Sequence, residues 1–208
     1  MSYVIPENLV GQLLISHPSV SVRSQFYQSV LLVVNQSDTR LLGVGINDPL
    51  PDLNLDMISR RLGIEGGIAH RLDGEHDPVW YGGPDSVHRI MVIHSTDWTS
   101  PTSIMLTPDL GVTMDISVLL ALNHTHGGPQ QYRACAGIWT LDGTEVQHQL
   151  LENSSLTRDP TSTPRPHSMW ELAPALPELV FENSATNQWH RALEVSAKYQ
   201  ASHWFNNY

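Results

Sequence analysis

The sequence is short of three things: cysteine, lysine and long apolar runs. Cys135 is the only cysteine among 208 residues, which excludes an intramolecular disulfide and a zinc site built from several cysteines. Lys198 is the only lysine, and no stretch reaches the roughly 18 consecutive apolar residues of a membrane span. The N-terminus has neither a basic leader nor an apolar segment before a cleavage site. We therefore expect a cytoplasmic protein with no membrane segment.

Acidic residues outnumber basic ones, at 21 Asp and Glu against 11 Lys and Arg, and the net charge is −10. Nucleic-acid-binding proteins usually place clusters of Lys and Arg against phosphates. The arginines of this chain are scattered, and only Arg60 and Arg61 are adjacent. Direct contact with nucleic acid is therefore disfavoured, and the expected partner is another protein, of unknown identity.

Apolar runs and amphipathic segments follow one another irregularly, with no internal repeat. Runs of β-branched and aliphatic residues predict strands at 12–15, 30–34, 41–46, 79–81, 89–94, 104–106 and 132–139. Helical spacing predicts helices at 54–62, 114–122, 144–153 and 189–199. Because strands and helices do not alternate strictly, an α+β fold is favoured over a doubly wound sheet. We expect a single domain over residues 1–208, with a surface loop at 154–168 and an aromatic tail at 199–208.

Two histidines form the nearest approach to a metal site. His124 and His126 lie at positions i and i+2, which share one face of a strand, and imidazole is the commonest zinc ligand. Eleven histidines make chance pairs frequent, so a polar loop without a metal is the favoured interpretation. We predict no cofactor, and these two residues are only weak metal candidates.

A serine hydrolase site can be drawn from five neighbouring residues: Asp85, Ser86, His88, His94 and Ser95. The G-x-S-x-G motif of a nucleophile elbow is absent, however, and a triad is recognised by geometry rather than by local composition. A structural hydrogen bond is therefore the favoured role for His94. Cys135 lies within an apolar strand, where a buried and inert thiol is expected.

Six sequence motifs occur in the same order as in the YqgE/AlgH proteins. They are Gly11–Pro18, Phe26 with Ser29–Leu32, Gly43–Leu50, Tyr81–Pro84 with Val92–Ser95, Ala136–Trp139 with the acidic helix that follows, and Trp189–Leu193. Each motif alone is weak, whereas the ordered set is much more specific. The chain therefore resembles this family from about residue 11 to 195.

The resemblance implies a bifurcated mixed β-sheet, part of it barrel-like, with helices packed around it. It also implies a bacterial cytoplasm, whereas the diverged turns and the unmatched tail are equally compatible with a copy carried by a bacteriophage. Some family members are described as transcriptional regulators. The chain departs from the family pattern at Asp48, where the family has Arg, and at Ile138, which is inserted before Trp139. The tail after Lys198 has no counterpart.

The turns that carry the motifs supply the candidate ligand-binding or partner-binding residues: Asn47, Asp48, Gly82, Gly83 and Trp139. Convergence of these residues would indicate a site, and scattering would leave them as determinants of the fold. Because no catalytic motif is present, the preferred hypothesis is a non-catalytic regulatory or protein-binding module. The alternatives are a transcriptional regulator that contacts DNA directly and a metal-dependent or serine hydrolase that uses the histidine-rich turns.

Overall fold

The computed structural model describes residues 5–64, 77–123, 127–154, 169–182 and 184–205. The strands are β1 (Gln12–Ser16), β2 (Val30–Gln36), β3 (Arg40–Gly45), β4 (Pro49–Asn54), β5 (Pro78–Tyr81), β6 (Asp85–Ser95), β7 (Ile104–Met105), β8 (Leu110–Thr113), β9 (Tyr132–Asp142) and β10 (Trp170–Pro174). The helices are α1 (Leu55–Arg61), α2 (Ser117–Leu122), α3 (Gly143–Ser154), α4 (Pro177–Val180) and α5 (Ala185–Phe205).

The strands form one sheet that divides at β9. Along its main path the order is β10-β1-β2-β3-β9-β6-β8-β7, and β4 and β5 branch from this path. The first half of β9 pairs with β5 in parallel and with β6 in antiparallel fashion, whereas Trp139–Asp142 pairs with β3. Gly137 separates the two halves and has a φ of 81°, a left-handed conformation that glycine adopts without strain. The predicted α+β fold with a bifurcated, partly barrel-like sheet is confirmed.

Both faces of the sheet are covered, which explains why its central strands are continuous apolar runs rather than alternating ones. In β1, Leu13 and Ile15 point into a first core cluster that includes Trp189 and Ala192 of α5. Leu14 points to the opposite face, where a second cluster contains side chains of α3 together with Trp139. A third cluster lies between β5, β6, β9 and the short helices α1 and α2.

Several elements differ from the prediction. The helix predicted from Met114 begins only at Ser117, because Thr113 still belongs to β8 and pairs with Val92. The strands β4, β8 and β10 and the helix α4 were not predicted, since their sequences contain Pro or Gly. In addition, β4 and β10 pair with strands that are distant in sequence. These corrections concern local elements and leave the fold class unchanged.

The helix predicted at 189–199 is longer at both ends. It runs from Ala185 to Phe205, so that residues 199–205 of the predicted tail continue α5. Ser154 ends α3, and the rest of the predicted loop at 154–168 lies outside the described residues. Within the described ranges, no helix is both long and apolar enough to cross a membrane.

Candidate functional site

The turns that carry the sequence motifs meet at the end of β5, beside the end of β3 and the middle of β9. The backbone N–H of Gly45 donates to the carbonyl of Gly82 at 2.8 Å, and the N–H of Gly82 donates to the carbonyl of Ala136 at 2.7 Å. The N–H of Tyr81 donates to the carbonyl of Asp48, also at 2.7 Å. Three turns that are far apart in sequence are thus joined by main-chain hydrogen bonds. We call this arrangement the turn crossing.

Main-chain atoms pack directly against one another in the turn crossing and leave no space for side chains at its two glycines. Gly82 and Gly83 are buried, and a Cβ atom on Gly82 would collide with the carbonyl oxygens of Ala136 and Gly137. A Cβ atom on Gly83 would collide with the backbone of Ile138. The glycines are therefore required because the main chains approach too closely for any side chain.

Asn47 holds the crossing to the connection between β1 and β2. Its side-chain Oδ1 accepts from the Val30 N–H at 2.9 Å, and its Nδ2 donates to the Gln28 carbonyl at 2.7 Å. Gln28 has a φ of 51°, so the amide of Asn47 stabilises a strained residue at the end of that connection. Asp48 takes part through its backbone carbonyl, and its carboxylate is exposed.

Trp139 fills the second core cluster beside the crossing. Its side chain is 7% exposed. The ring centroid of Trp139 lies 4.8 Å from that of Phe26 and 6.1 Å from that of Tyr81, in tilted and edge-on geometries that aromatic pairs favour. The indole thus packs the turn crossing against the connection between β1 and β2.

All five predicted site residues therefore lie in one region: Asn47, Asp48, Gly82, Gly83 and Trp139. Side-chain hydrogen bonds to the main chain account for the geometry of Asn47, close approach of main chains for Gly82 and Gly83, and core packing for Trp139. Asp48 is the member of this set whose side chain is exposed. Their role in binding a ligand or partner stays a prediction.

A buried arginine lies next to the crossing and was not among the predicted site residues. The Arg133 guanidinium donates to the carbonyls of Ile46 and Glu182 and, at 3.3 Å, to Gln188 Oε1. Its Cζ lies 3.8 Å from the ring centroid of Trp80, which is a cation–π contact. Burial lowers the pKa of Arg133 to about 10. This side chain ties the turn after β3 to the connection between α4 and α5.

His94 belongs to a polar cluster beneath β7 rather than to the triad drawn from the sequence. It is fully buried, its Nδ1 is 3.0 Å from the Ser95 carbonyl, and its Nε2 is 3.1 Å from Ser103 Oγ. An Nδ1–H donor to the carbonyl leaves Nε2 as the acceptor for the Ser103 hydroxyl. Ser103 Oγ also accepts from the Ser100 N–H at 2.9 Å. Both ring nitrogens of His94 are thus engaged, as a structural role requires.

The cluster extends through hydroxyl groups to a carboxylate at the surface. Ser100 Oγ is 3.2 Å from the hydroxyls of both Ser103 and Thr102, and the Thr102 hydroxyl donates to Asp115 Oδ2 at 3.2 Å. Asp115 Oδ1 accepts from the Ser117 N–H at 2.9 Å. These bonds fix the chain on both sides of the β7–β8 hairpin. Hydrogen bonds to the carboxylate, chiefly the one from the backbone of Ser117, lower the pKa of Asp115.

Two other groups proposed from the sequence have different outcomes. Cys135 is fully buried, as predicted, and this burial raises the pKa of its thiol to about 12. His124 and His126 lie outside the described residues. Among the residues that are described, no group of three or more His, Cys, Asp or Glu side chains is placed to hold a metal ion.

Four exposed apolar side chains lie in the β7–β8 hairpin, directly after it and on α2. Ile104, Met114, Ile116 and Leu120 are 58%, 60%, 47% and 46% exposed. We call these four residues the apolar stripe. Large exposed apolar surfaces on soluble proteins commonly mark interaction sites. The sequence carried a signal for the buried arginine, since Arg133 is a lone cation in an apolar strand. It also showed that the segment of the apolar stripe lies in a stretch without Lys or Arg, between Arg89 and Arg133.

Comparison with known proteins gives consistent matches over most of the chain. The sequence model of the AlgH-like family, DUF179, matches residues 13–163. A UPF0301 protein of Vibrio parahaemolyticus is 26% identical over 188 residues, covering 90% of this chain and 91% of the relative. A UPF0301 protein of Rhizobium leguminosarum is 27% identical over 189 residues, covering 88% and 84%.

The same fold occurs in solved structures. The solution structure of the AlgH protein from Pseudomonas aeruginosa superposes with a TM-score of 0.66 at 21% identity, covering 94% of this chain and 92% of that one. The X-ray structure of a Corynebacterium diphtheriae protein gives a TM-score of 0.62 at 16% identity, covering 91% and 87%. At these identities the likeness concerns the fold alone.

Proposed function

We propose that this chain, which belongs to the AlgH-like family, is a non-catalytic, cytoplasmic regulatory module that binds another protein through its apolar stripe. Membership of the family confirms the resemblance that was inferred from the six ordered motifs. The observation that carries the proposal is the exposure of four large apolar side chains on one hairpin and the helix that follows it. Apolar area of this kind is stabilised when a partner removes it from water.

The polar groups near the stripe favour binding over catalysis. Ser103 Oγ donates to His94 and accepts from the Ser100 backbone, so the hydroxyl is already engaged on both sides. A reactive serine needs a base that is oriented by a further group and an oxygen that a substrate can approach. Here the ring of His94 is oriented by the carbonyl of Ser95, and no part of it is exposed. His94 and Ser103 are therefore better placed to stabilise the hairpin than to take part in nucleophilic attack.

A pair of matched variants tests the proposal. Ile104→Lys combined with Met114→Lys places two charges on the stripe, and Val22→Lys combined with Leu151→Lys adds the same charge at exposed apolar residues elsewhere. Each protein is immobilised and exposed to a lysate of the cells that encode it, and the retained proteins are quantified by mass spectrometry. We expect a partner that the wild type and the Val22/Leu151 variant retain equally.

The stripe variant should bind that partner at least about a hundredfold more weakly, because each of the two replaced side chains contributes about 1.5–3 kcal/mol when buried and about 1.4 kcal/mol is a tenfold change in affinity. Circular dichroism establishes that every variant is folded. Equal retention by all three folded proteins would show that the stripe is not the binding surface.

A further inference from the structure

We propose that the Ser19 hydroxyl, activated by His17, is a nucleophile that accepts an acyl group from an activated ester. Both residues lie in the connection that follows β1, and Glu171 of β10 completes the arrangement. One acyl group is taken up per chain, so the step is a covalent modification and not a catalytic turnover. The site shares no residue with the apolar stripe, and the inference therefore goes beyond the proposed function.

A backbone donor fixes the protonation state of His17. The backbone N–H of Ser19 points at the imidazole Nδ1, with the two nitrogens 3.1 Å apart. A backbone N–H can only donate, so Nδ1 carries no proton and acts as an acceptor. The Ser19 Oγ, which is 2.7 Å from the same Nδ1, is therefore the donor in that hydrogen bond. The hydroxyl proton is thus directed at a basic nitrogen, as in an activated nucleophile.

Glu171 lies on the other side of the imidazole. It is directly opposite Ile15 in the pairing of β1 with β10, and the N–H of His17 continues this pairing by donating to the Met169 carbonyl at 2.8 Å. The His17 Nε2, which carries the ring proton, is 3.9 Å from Glu171 Oε1. The second carboxylate oxygen accepts from Gln200 Nε2 of α5 at 2.7 Å, so the carboxylate is held in place. A fixed negative charge beside Nε2 stabilises the imidazolium that forms when Nδ1 takes the serine proton.

Solvent reaches the hydroxyl freely and the base only in part. Ser19 is exposed, whereas the side chains of His17 and Glu171 are 26% and 18% exposed. For Ser103 the situation is the reverse, because its partner His94 is wholly buried. A local turn would require only the contact between Ser19 and Nδ1, and it does not account for a carboxylate that is anchored beside the opposite nitrogen. Ser19 therefore has both an oriented base and an oxygen that an ester can approach.

The acyl transfer balances with these groups and one activated ester. Ser19 Oγ attacks the carbonyl carbon of the ester and forms a new C–O bond as its proton passes to His17 Nδ1. The bond from that carbon to the leaving oxygen then breaks, and the alkoxide or phenolate departs with the bonding electron pair. The imidazolium loses its proton to the leaving group or to water, which restores neutral His17. The product is an ester of Ser19, and no oxidant or reductant is needed.

Acetylation by p-nitrophenyl acetate tests the proposal on the full-length protein. Wild type, Ser19→Ala and Ser21→Ala are treated briefly and quenched with acid, and the acetylated positions are found by mass spectrometry of peptides. Ser21 is the matched control, because it is exposed in the same connection and its Oγ accepts from the Arg23 N–H at 3.3 Å. We expect acetylation of Ser19 at the same rate in the wild type and in Ser21→Ala, and its loss in Ser19→Ala. An absence of acetyl on Ser19, or equal acetylation of Ser19 and Ser21, overturns the proposal.

Variants of the base separate activation from simple exposure. His17→Gln should slow the acetylation of Ser19 about a hundredfold, which is the lower end of what a general base contributes. His88→Gln changes an exposed histidine elsewhere and should leave the rate unchanged. Glu171→Gln should lower the pH at which acetylation reaches half its maximal rate, because the carboxylate stabilises the protonated imidazole. Circular dichroism establishes that each variant is folded.

Two results would contradict these expectations. One is acetylation of Ser19 in folded His17→Gln at the wild-type rate, since the hydroxyl would then react without a base. The other is an unchanged pH profile in Glu171→Gln, since the carboxylate would then have no influence on the imidazole. Either result overturns the proposal.

Discussion

Replacing Gly45 by alanine should destabilise the fold, whereas the same replacement at Gly43 should not. Both glycines are buried in β3, two residues apart. A Cβ atom on Gly45 would lie 2.5 Å from the carbonyl oxygen of Tyr81, well inside van der Waals contact. On Gly43 the nearest atom would be the Cβ of Leu31 at 3.5 Å, which is an ordinary contact.

The expected cost at Gly45 has two parts. Overpacking against backbone costs about 2 kcal/mol, and about 1 kcal/mol more is lost as the hydrogen bond from the Gly45 N–H to the Gly82 carbonyl lengthens. At Gly43, alanine reduces the freedom of the unfolded chain and should stabilise by about 0.5 kcal/mol. Gly45→Ala should therefore lower the free energy of unfolding by about 3 kcal/mol and the Tm by about 6–12 °C.

Urea unfolding followed by tryptophan fluorescence measures both effects, because Trp80 and Trp139 lie beside the crossing. Thermal unfolding by circular dichroism provides an independent Tm. If Gly45→Ala unfolds within about 0.5 kcal/mol of Gly43→Ala, the close approach of the main chains does not limit this position, and the explanation of the glycine motif is wrong.

Three further predictions concern the surrounding side chains. Arg133→Met should lower the free energy of unfolding by about 2–4 kcal/mol because it removes the donor to the buried carbonyl of Ile46 and to the half-buried Glu182. A methionine at the half-exposed Arg191 should cost under about 1 kcal/mol, and similar losses for both variants in urea would contradict the buried role of Arg133. Asn47→Ala should cost about 1–3 kcal/mol in the same assay through its two lost hydrogen bonds, and a cost below about 0.5 kcal/mol would refute its bridging role. Burial raises the pKa of Cys135 in the folded protein from 9.0 to about 12, so below pH 9.0 the thiol is protonated in both the folded and the unfolded state. Above pH 9.0 only the unfolded chain ionises, and the free energy of unfolding should fall by up to about 1.4 kcal/mol per pH unit. Unfolding curves at pH 8 and pH 10 should show this loss in the wild type and not in Cys135→Ala.

The elements that were predicted correctly have their signal within a few neighbouring residues. Asn54 at the start of α1 accepts a hydrogen bond from the Met57 N–H at 2.9 Å, as an N-cap residue does. The apolar runs of β1 and β2 are buried on both faces and therefore show their pattern at every position. The hairpin between β2 and β3 turns at the polar residues that separate the two runs.

The elements that were missed depend on distant partners. β8 has the sequence Leu-Gly-Val-Thr, which contains a glycine, and it pairs with the two-residue strand β7 across a short turn and with β6 across a connection of more than ten residues. Gly111 leaves space for the ring of His94, since a Cβ atom there would lie 2.7 Å from the imidazole Cε1. A strand specified by such a contact has no local signature.

The sequence by itself determined the family, the α+β class and which turns carry the motifs, and it left open whether those turns meet. Ordered motifs carry that information because glycines and an asparagine are needed wherever main chains approach closely or a turn must be bridged. Only the tertiary structure decided how these features are used. In the folded chain the motif-bearing turns are joined by main-chain hydrogen bonds, and the charge of Arg133 is buried against Trp80. The side chains of the apolar stripe, Ile104, Met114, Ile116 and Leu120, are exposed. Exposure and close approach depend on which distant segments pack together, and no local pattern of residues specifies that.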